Sequence, residues 1–187
     1  MATSTPVDRG TNGPFDVSEI GILTPYLDFG SIRLAPKQEM QIRADVDDAS
    51  KKVIALTVEV DGHRLQLQAF AATKSLGLWE QTMEALLKGI ADQGGSVQTA
   101  EGILGPELRG SVQAKSGDRQ VSRPTRFIGV DGPRWFLRGV ISAPSINEDT
   151  YGLLVSIFRS TAVNRGDVAM PPGELLPLRL PVSENDE

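Results

Sequence analysis

The stretch RFIGVDGPRWFLRGVISA, from Arg126 to Ala143, restricts the fold more than any other part of the chain. Apolar and β-branched residues flank an Asp-Gly-Pro on both sides, the pattern of a β-hairpin buried on at least one face. Two registers are open. With Asp131-Gly132 alone as the turn, Ile128 faces Trp135 and Gly129 faces Arg134, and both faces mix polar with apolar groups. With Asp131, Gly132 and Pro133 as a three-residue connection, Val130 faces Arg134 and Gly129 faces Trp135. One face is then Phe127, Gly129, Trp135, Leu137, Gly139 and Ile141, almost wholly apolar. The second register also lays an indole over a glycine, where the ring covers bare backbone, and is favoured for that reason.

In that register the other face carries Arg126, Ile128, Val130, Arg134, Phe136, Arg138 and Val140, with Arg126 directly across from Arg138. Like charges so placed repel unless something anionic lies nearby. An internal carboxylate such as Glu101 or Glu107, an acidic segment of a partner protein, or a small anion would each serve. Internal pairing is the plainer reading, because arginine stems lie readily on apolar surface while their heads reach an acid or water. The apolar ground of Ile128, Val130, Phe136 and Val140 favours a protein surface over a small ion. Arg126, Arg134, Phe136 and Arg138 are therefore the candidate binding residues.

Around this hairpin the periodicity changes in an ordered way. Tyr26 to Leu34 and Met40 to Val46 alternate loosely, and Val53 to Val60 and Arg64 to Phe70 alternate well, with Asp61-Gly62 suited to a tight turn between the last two. A meander of about four strands is expected there. Trp79, Met83, Leu86, Leu87 and Ile90 then recur at helical spacing, and Gly94-Gly95 is placed as the stop. Strands follow at Val97 to Glu101, Glu107 to Gln113, Thr125 to Val130 and Arg134 to Ser142, with Lys115 to Arg119 as an exposed turn. A second helix is predicted from about Asn147, burying Leu153, Leu154, Ile157 and Phe158, and a short strand at Thr161 to Arg165. Runs of strands joined by short turns predict the α+β class: an antiparallel sheet of about seven to nine strands with two main helices packed on it. Residues 1–20 and 169–187 lack periodicity and read as a flexible N-terminal arm and a proline-rich C-terminal arm with an acidic end, on a single domain spanning 21–168. LLPLRLP, within the second arm, is apolar enough to lie extended along the body.

Several kinds of chemistry are missing. The 19 basic and 24 acidic residues leave a net charge of −5, so no global positive field draws the chain to nucleic acid or anionic lipid. No run approaches the ~20 apolar residues of a membrane span, and the N-terminus has no secretory signal, so a cytoplasmic protein is the default expectation. With no cysteine there is no thiolate nucleophile or sulfur-based zinc site. Phosphate-cradling glycine loops and the GxSxG elbow are absent, and His63, the only histidine, falls beside the Asp61-Gly62 turn where exposure is expected. Asp45, Asp47 and Asp48 resemble the start of a calcium loop, but Ser50 and Leu56 stand where its glycine and glutamate belong. Neither a cofactor nor a metal is indicated, and no residue stands out as catalytic.

GPFDVSE, LQLQAFAA, LWEQ, GGSVQTAEGILGPELRG, RFIGVDGPRWFLRGVISA and RGDVAMPPGELLPLRLP together resemble an actinobacterial family known as a domain of unknown function, family 3710. The likeness covers nearly the whole chain and implies a bacterial cytosolic protein, without an activity or catalytic residues to carry over. The order of elements also looks like the Mog1/PsbP-like α/β/α sandwich, whose members often act as accessory or binding proteins. The expected function is a non-catalytic binding or accessory protein engaging an acidic or apolar protein segment. An enzyme or small-anion binder with carboxylates or arginines in a pocket between helix and sheet is the alternative.

Overall fold

The computed structural model describes residues 5–21 and 25–181; the acidic end of the chain lies outside the described residues. Seven strands form the main sheet: β4 (Gln41–Val46), β5 (Val53–Val60), β6 (His63–Ala71), β7 (Ser96–Gly102), β8 (Gly105–Ser116), β9 (Arg119–Gly132) and β10 (Trp135–Ser142). Their order is β4-β5-β6-β10-β9-β8-β7, all antiparallel. Two meanders, one on each side of helix α2 (Trp79–Asp92), are joined by the long-range pairing of β6 with β10. Asp61 and Gly62, both at positive φ, make the β5–β6 turn as their sequence requires.

A smaller sheet of order β1-β11-β3-β2 is built from β1 (Phe15–Asp16), β2 (Leu27–Asp28), β3 (Ile32–Leu34) and β11 (Ala162–Val163). The expected first strand, Tyr26 to Leu34, is therefore interrupted at Phe29–Ser31 and belongs to this sheet, not to the meander. It breaks because Gly30, at φ +90°, bridges to Leu178, while Ser31 N–H donates to Pro177 O. Residues 5–20 are no free arm. They hold helix α1 (Arg9–Asn12), β1 and a 3₁₀ turn at Val17–Glu19, closed by a reciprocal Asp16/Glu19 capping box. Local polar bonds replace the periodicity the segment lacks.

The side chains divide cleanly across the main sheet. Leu56, Val58, Leu65, Leu67, Ala69, Ile128, Val130, Leu137 and Ile141 share one face with helix α3 (Glu148–Ser160), and the small sheet completes this larger core. Asn147 caps α3 by accepting from Asp149 N–H and Thr150 N–H. The face α3 buries differs by one position from the expected one: Leu153 is exposed and Tyr151 is buried in its stead. On the opposite face α2 lays Trp79, Met83, Leu86, Leu87 and Ile90 against Leu108, Phe127 and Phe136. Its C-terminus closes as Gly95 N–H returns to Ile90 O, with Gly94 at φ +84°. The chain after Gly173 runs beside β6 where β5 stops pairing: Ala71 N–H donates to Glu174 O, Leu176 N–H donates to Ala69 O, and Leu176 is fully buried.

The central hairpin takes neither register expected from the sequence. Trp135 pairs with Gly132, Leu137 with Val130, Arg138 with Gly129 and Ile141 with Arg126, so the turn is Pro133-Arg134, with Arg134 at φ +63°. Two forces select it. Proline's fixed φ suits the first turn position, and Asp131, freed from the turn, points under α2, where its Oδ1 accepts Leu78 N–H at 2.7 Å and Trp79 N–H at 3.3 Å. Leu78 has no capping side chain of its own. The indole still covers a glycine, but it is Gly132: a Cβ there would lie 2.3 Å from the Trp135 ring. Gly129 is equally confined, since a Cβ would sit 2.5 Å from Trp79 Cδ2.

Gly129→Ala is expected to cost about 1–3 kcal/mol of stability through overpacking, and Asp131→Ala a similar amount, roughly 1–3 kcal/mol, by leaving the buried α2 amides unpaired. Urea unfolding with an unchanged m-value reads both losses.

Candidate functional site

The observed register disperses the candidate residues. Because Arg126 pairs with Ile141 and Arg138 with Gly129, they occupy opposite faces of the sheet, and Arg134 stands in the turn. The single arginine face read from the sequence does not exist. Phe136 and Arg138 alone stay together, two positions apart on β10 and both on the α2 face.

On the α3 face Arg126 lies opposite Arg109 of β8, so a like-charge pair does occur, between different partners. It is neutralised from within. Arg109 Nε donates to Glu107 Oε2 at 2.9 Å, and Arg126 reaches Glu148 at the start of α3. Tyr151 lies between them, with the Arg126 guanidinium 4.4 Å and that of Arg109 5.6 Å from its ring centre. Its hydroxyl donates to Glu107 Oε1. Glu107, named from the sequence as a possible partner of Arg126, serves Arg109 instead and is almost fully buried. Burial first, then the hydrogen bond and charge of Glu107, push the Tyr151 phenol up to about 12. The Arg126 contact holds the Glu148 carboxyl below its ordinary value. These groups satisfy one another, and none of them lines the concavities described below.

His63 is also a correction: it is buried, not exposed. Its Nδ1 lies 2.9 Å from Asp61 O and its Nε2 accepts Asn147 N–H at 3.1 Å, so the ring pins the β5–β6 turn to the head of α3. Two of the three acids that resemble the start of a calcium loop are engaged by neighbouring groups. Asp47 caps its own turn through Ser50, which lowers its carboxyl, and Asp45 accepts from Thr57 and Gln66. Among the described residues no cluster of ligating side chains could hold a metal, and no helix is long and apolar enough to cross a membrane.

Arg138 is held by neutral groups. α2 lies over β7, β8 and β9, and its flank leaves a pocket of about 140 Å³ lined by Phe70, Leu78, Gln81, Thr82, Phe136, Arg138 and Gly173. The floor is aromatic: Phe136 stacks on Phe70 at 5.9 Å and on Trp79 at 5.8 Å. The Arg138 guanidinium lies 5.4 Å from the Phe70 ring centre and donates to the neutral Gln68 amide. Among the described residues no carboxylate pairs with it, and burial alone lowers its pKa. Gln68 and Phe70 escaped the sequence reading, although they occupy alternate positions of LQLQAF facing away from the larger core. Gln81, Thr82 and Gly173 carried no signal, since only the fold brings them to β10.

A second concavity, of about 320 Å³, contains Arg134 together with Asp16, Asn164, Arg165 and Asp167, so both charge signs line it. A larger one, about 670 Å³, runs between residues 5–8, Glu80 and Met83 of α2, and the β7–β8 turn.

A model of the family described as Protein of unknown function (DUF3710) matches residues 13–187. The chain belongs to that family. Among curated proteins nothing matches this DUF3710 chain. The solution structure of cyanobacterial PsbP (CyanoP) from Synechocystis sp. PCC 6803 is similar at a TM-score of 0.41 and 10% identity, covering 77% of the DUF3710 chain and 95% of that structure.

The Tyr151 phenol of the native DUF3710 chain keeps its proton between pH 10 and 12, whereas in the unfolded chain it ionises near 10. The native state therefore binds more protons in that window, and stability falls as pH rises through it. Alkaline absorbance titration is expected to show a late phenolate step near 12 that Tyr151→Phe removes.

Proposed function

We propose that this DUF3710 protein is a non-catalytic binding or accessory protein that receives an acidic side chain of a partner protein segment at Arg138. The observation that carries the reading is a partly buried guanidinium held over an aromatic floor with, among the described residues, only a neutral amide as its hydrogen-bond partner. A cation taken out of water without a counter-charge costs free energy, and a carboxylate entering the pocket would recover it through a charge-assisted, forked contact. The size of the pocket suits one side chain and excludes a cofactor-sized ligand. Gln81, exposed at its rim, offers an amide to the backbone of an incoming segment.

The enzyme alternative receives less support. Glu107, Tyr151, Arg109 and Arg126 converge beneath α3 but are paired among themselves and line none of the concavities described above. Of the charged groups that do meet in one, Asp16, Arg134, Arg165 and Asp167, Asp16 is committed to Trp135 and to its own capping box.

A peptide array probed with the intact protein tests the proposal. Binding peptides are expected to share an aspartate or glutamate next to an apolar residue. Arg138→Gln should weaken them roughly tenfold or more, the scale of one charge-assisted hydrogen bond. Arg126→Gln, on the opposite face, should leave them unchanged. Recovery of the same peptides by Arg138→Gln at undiminished affinity overturns the assignment.

A further inference from the structure

β8 and β9 remain paired well past the body of the sheet. β7 accompanies β8 only to Ser111 and β10 accompanies β9 only to Thr125, while the β8–β9 ladder continues to Ser116 and Arg119 around a Gly117-Asp118 turn. The five pairs from Val112↔Arg123 to Ser116↔Arg119 thus form a two-stranded ribbon, about 17 Å long at ~3.4 Å per residue. A ribbon of two strands is marginal alone and presents two unpaired edges.

Which backbone groups face each edge follows from the turn. A two-residue connection is flanked by a hydrogen-bonded pair, here Ser116↔Arg119, so Ala114↔Val121 and Val112↔Arg123 are bonded pairs as well. Gln113 and Lys115 therefore send their N–H and C=O outward along the β8 edge, and Gln120 and Ser122 send theirs outward along the β9 edge. The Ala143 N–H to Pro124 O contact lies on the β9 side, as this phase requires.

The two edges differ in what they would accept. The β9 edge is blocked against its own kind: Pro124 has no N–H, and a second copy laid antiparallel about Val121 would set Arg119 against Arg123 twice. The β8 edge has no such guard. Laid antiparallel about Ala114, it sets Gln113 against Lys115 twice, Ala114 against Ala114 and Val112 against Ser116, with no like charges opposed. In that register the outward-facing Gln113 and Lys115 form the hydrogen-bonded pairs, and Ala114 the non-bonded pair on the axis, as an antiparallel ladder demands.

We infer that the β8 edge, residues 112–116, is a two-fold self-association surface on which a second copy of this chain adds antiparallel, joining two seven-stranded sheets through their ribbons. The interface is isologous and closes at two copies. It is independent of the Arg138 pocket, which lies beside α2 and the C-terminal segment.

Analytical ultracentrifugation of the intact protein over a concentration series tests this. The wild type is expected to sediment as a reversible dimer. Gln113→Pro removes an outward N–H on the β8 edge and should weaken the dimer by about tenfold or more. Ser122→Pro makes the same change on the other edge of the same ribbon and should leave it intact. Gln113→Lys, which faces Lys115 of the second copy, should weaken association, and Gln113→Glu should tighten it, each by roughly threefold or more. A wild-type mass that stays monomeric overturns the inference, as does a dimer indifferent to Gln113→Pro and Gln113→Lys. A monomer that instead binds a polyanion through Arg119 and Arg123 overturns it too, and identifies the ribbon as a nucleic-acid arm.

Discussion

One buried carboxylate organises this molecule. Asp131 takes the first amides of α2, and to do so it must lie on the α2 face of β9, outside the turn. That requirement, with proline at the first turn position, moves the hairpin connection to Pro133-Arg134 and fixes every pairing between β9 and β10. The same register sends Trp135 to the α3 side, where its indole covers Gly132 and donates to Asp16 at 3.0 Å, tying the N-terminal segment to the sheet. It sends Phe136 to the α2 side, between Phe70 and Trp79. Helix position, core division and the placing of each arginine thus follow from where one acidic side chain finds its donors.

The architecture was legible because its signals are local. Alternation marked the strands of the meanders, the 3.6-residue period and Gly94-Gly95 marked α2, and Asn147 marked the start of α3. The candidate site was legible only in part, because register is not local. Asp-Gly-Pro contains residues favoured in several turns, and what chooses among them is a pair of amides more than fifty positions earlier in the chain. A shift of three in the sum of paired residue numbers broke up the Arg126/Arg138 face, yet it left Phe136 and Arg138 together, since residues two apart on a strand share a face in any register. His63 was misplaced for a related reason: a turn residue is exposed by default, and only the approach of α3 buries it.

The two arginine environments show how one residue type serves different ends in one sheet. Arg109 and Arg126 stand opposite each other, but Glu107, Glu148 and the Tyr151 ring surround them, so the repulsion expected of a like-charge pair is absorbed within the fold. Such a cluster specifies how α3 docks without offering anything to a ligand. Arg138 has the reverse balance: its plane is placed by Phe70 and Gln68, while among the described residues no carboxylate meets its charge.

The segment that begins at Gly173 has a bearing on biogenesis. It supplies the last piece of backbone beside β6 and one wall of the Arg138 pocket, yet it is made after every strand of the main sheet and after α3. Chains emerge from the ribosome N-terminus first, so a nascent chain can complete both meanders and their long-range junction while this wall is still unsynthesised. Closure of the pocket is thereby coupled to translation reaching Gly173, and the strands of the sheet are made before the pocket's last wall.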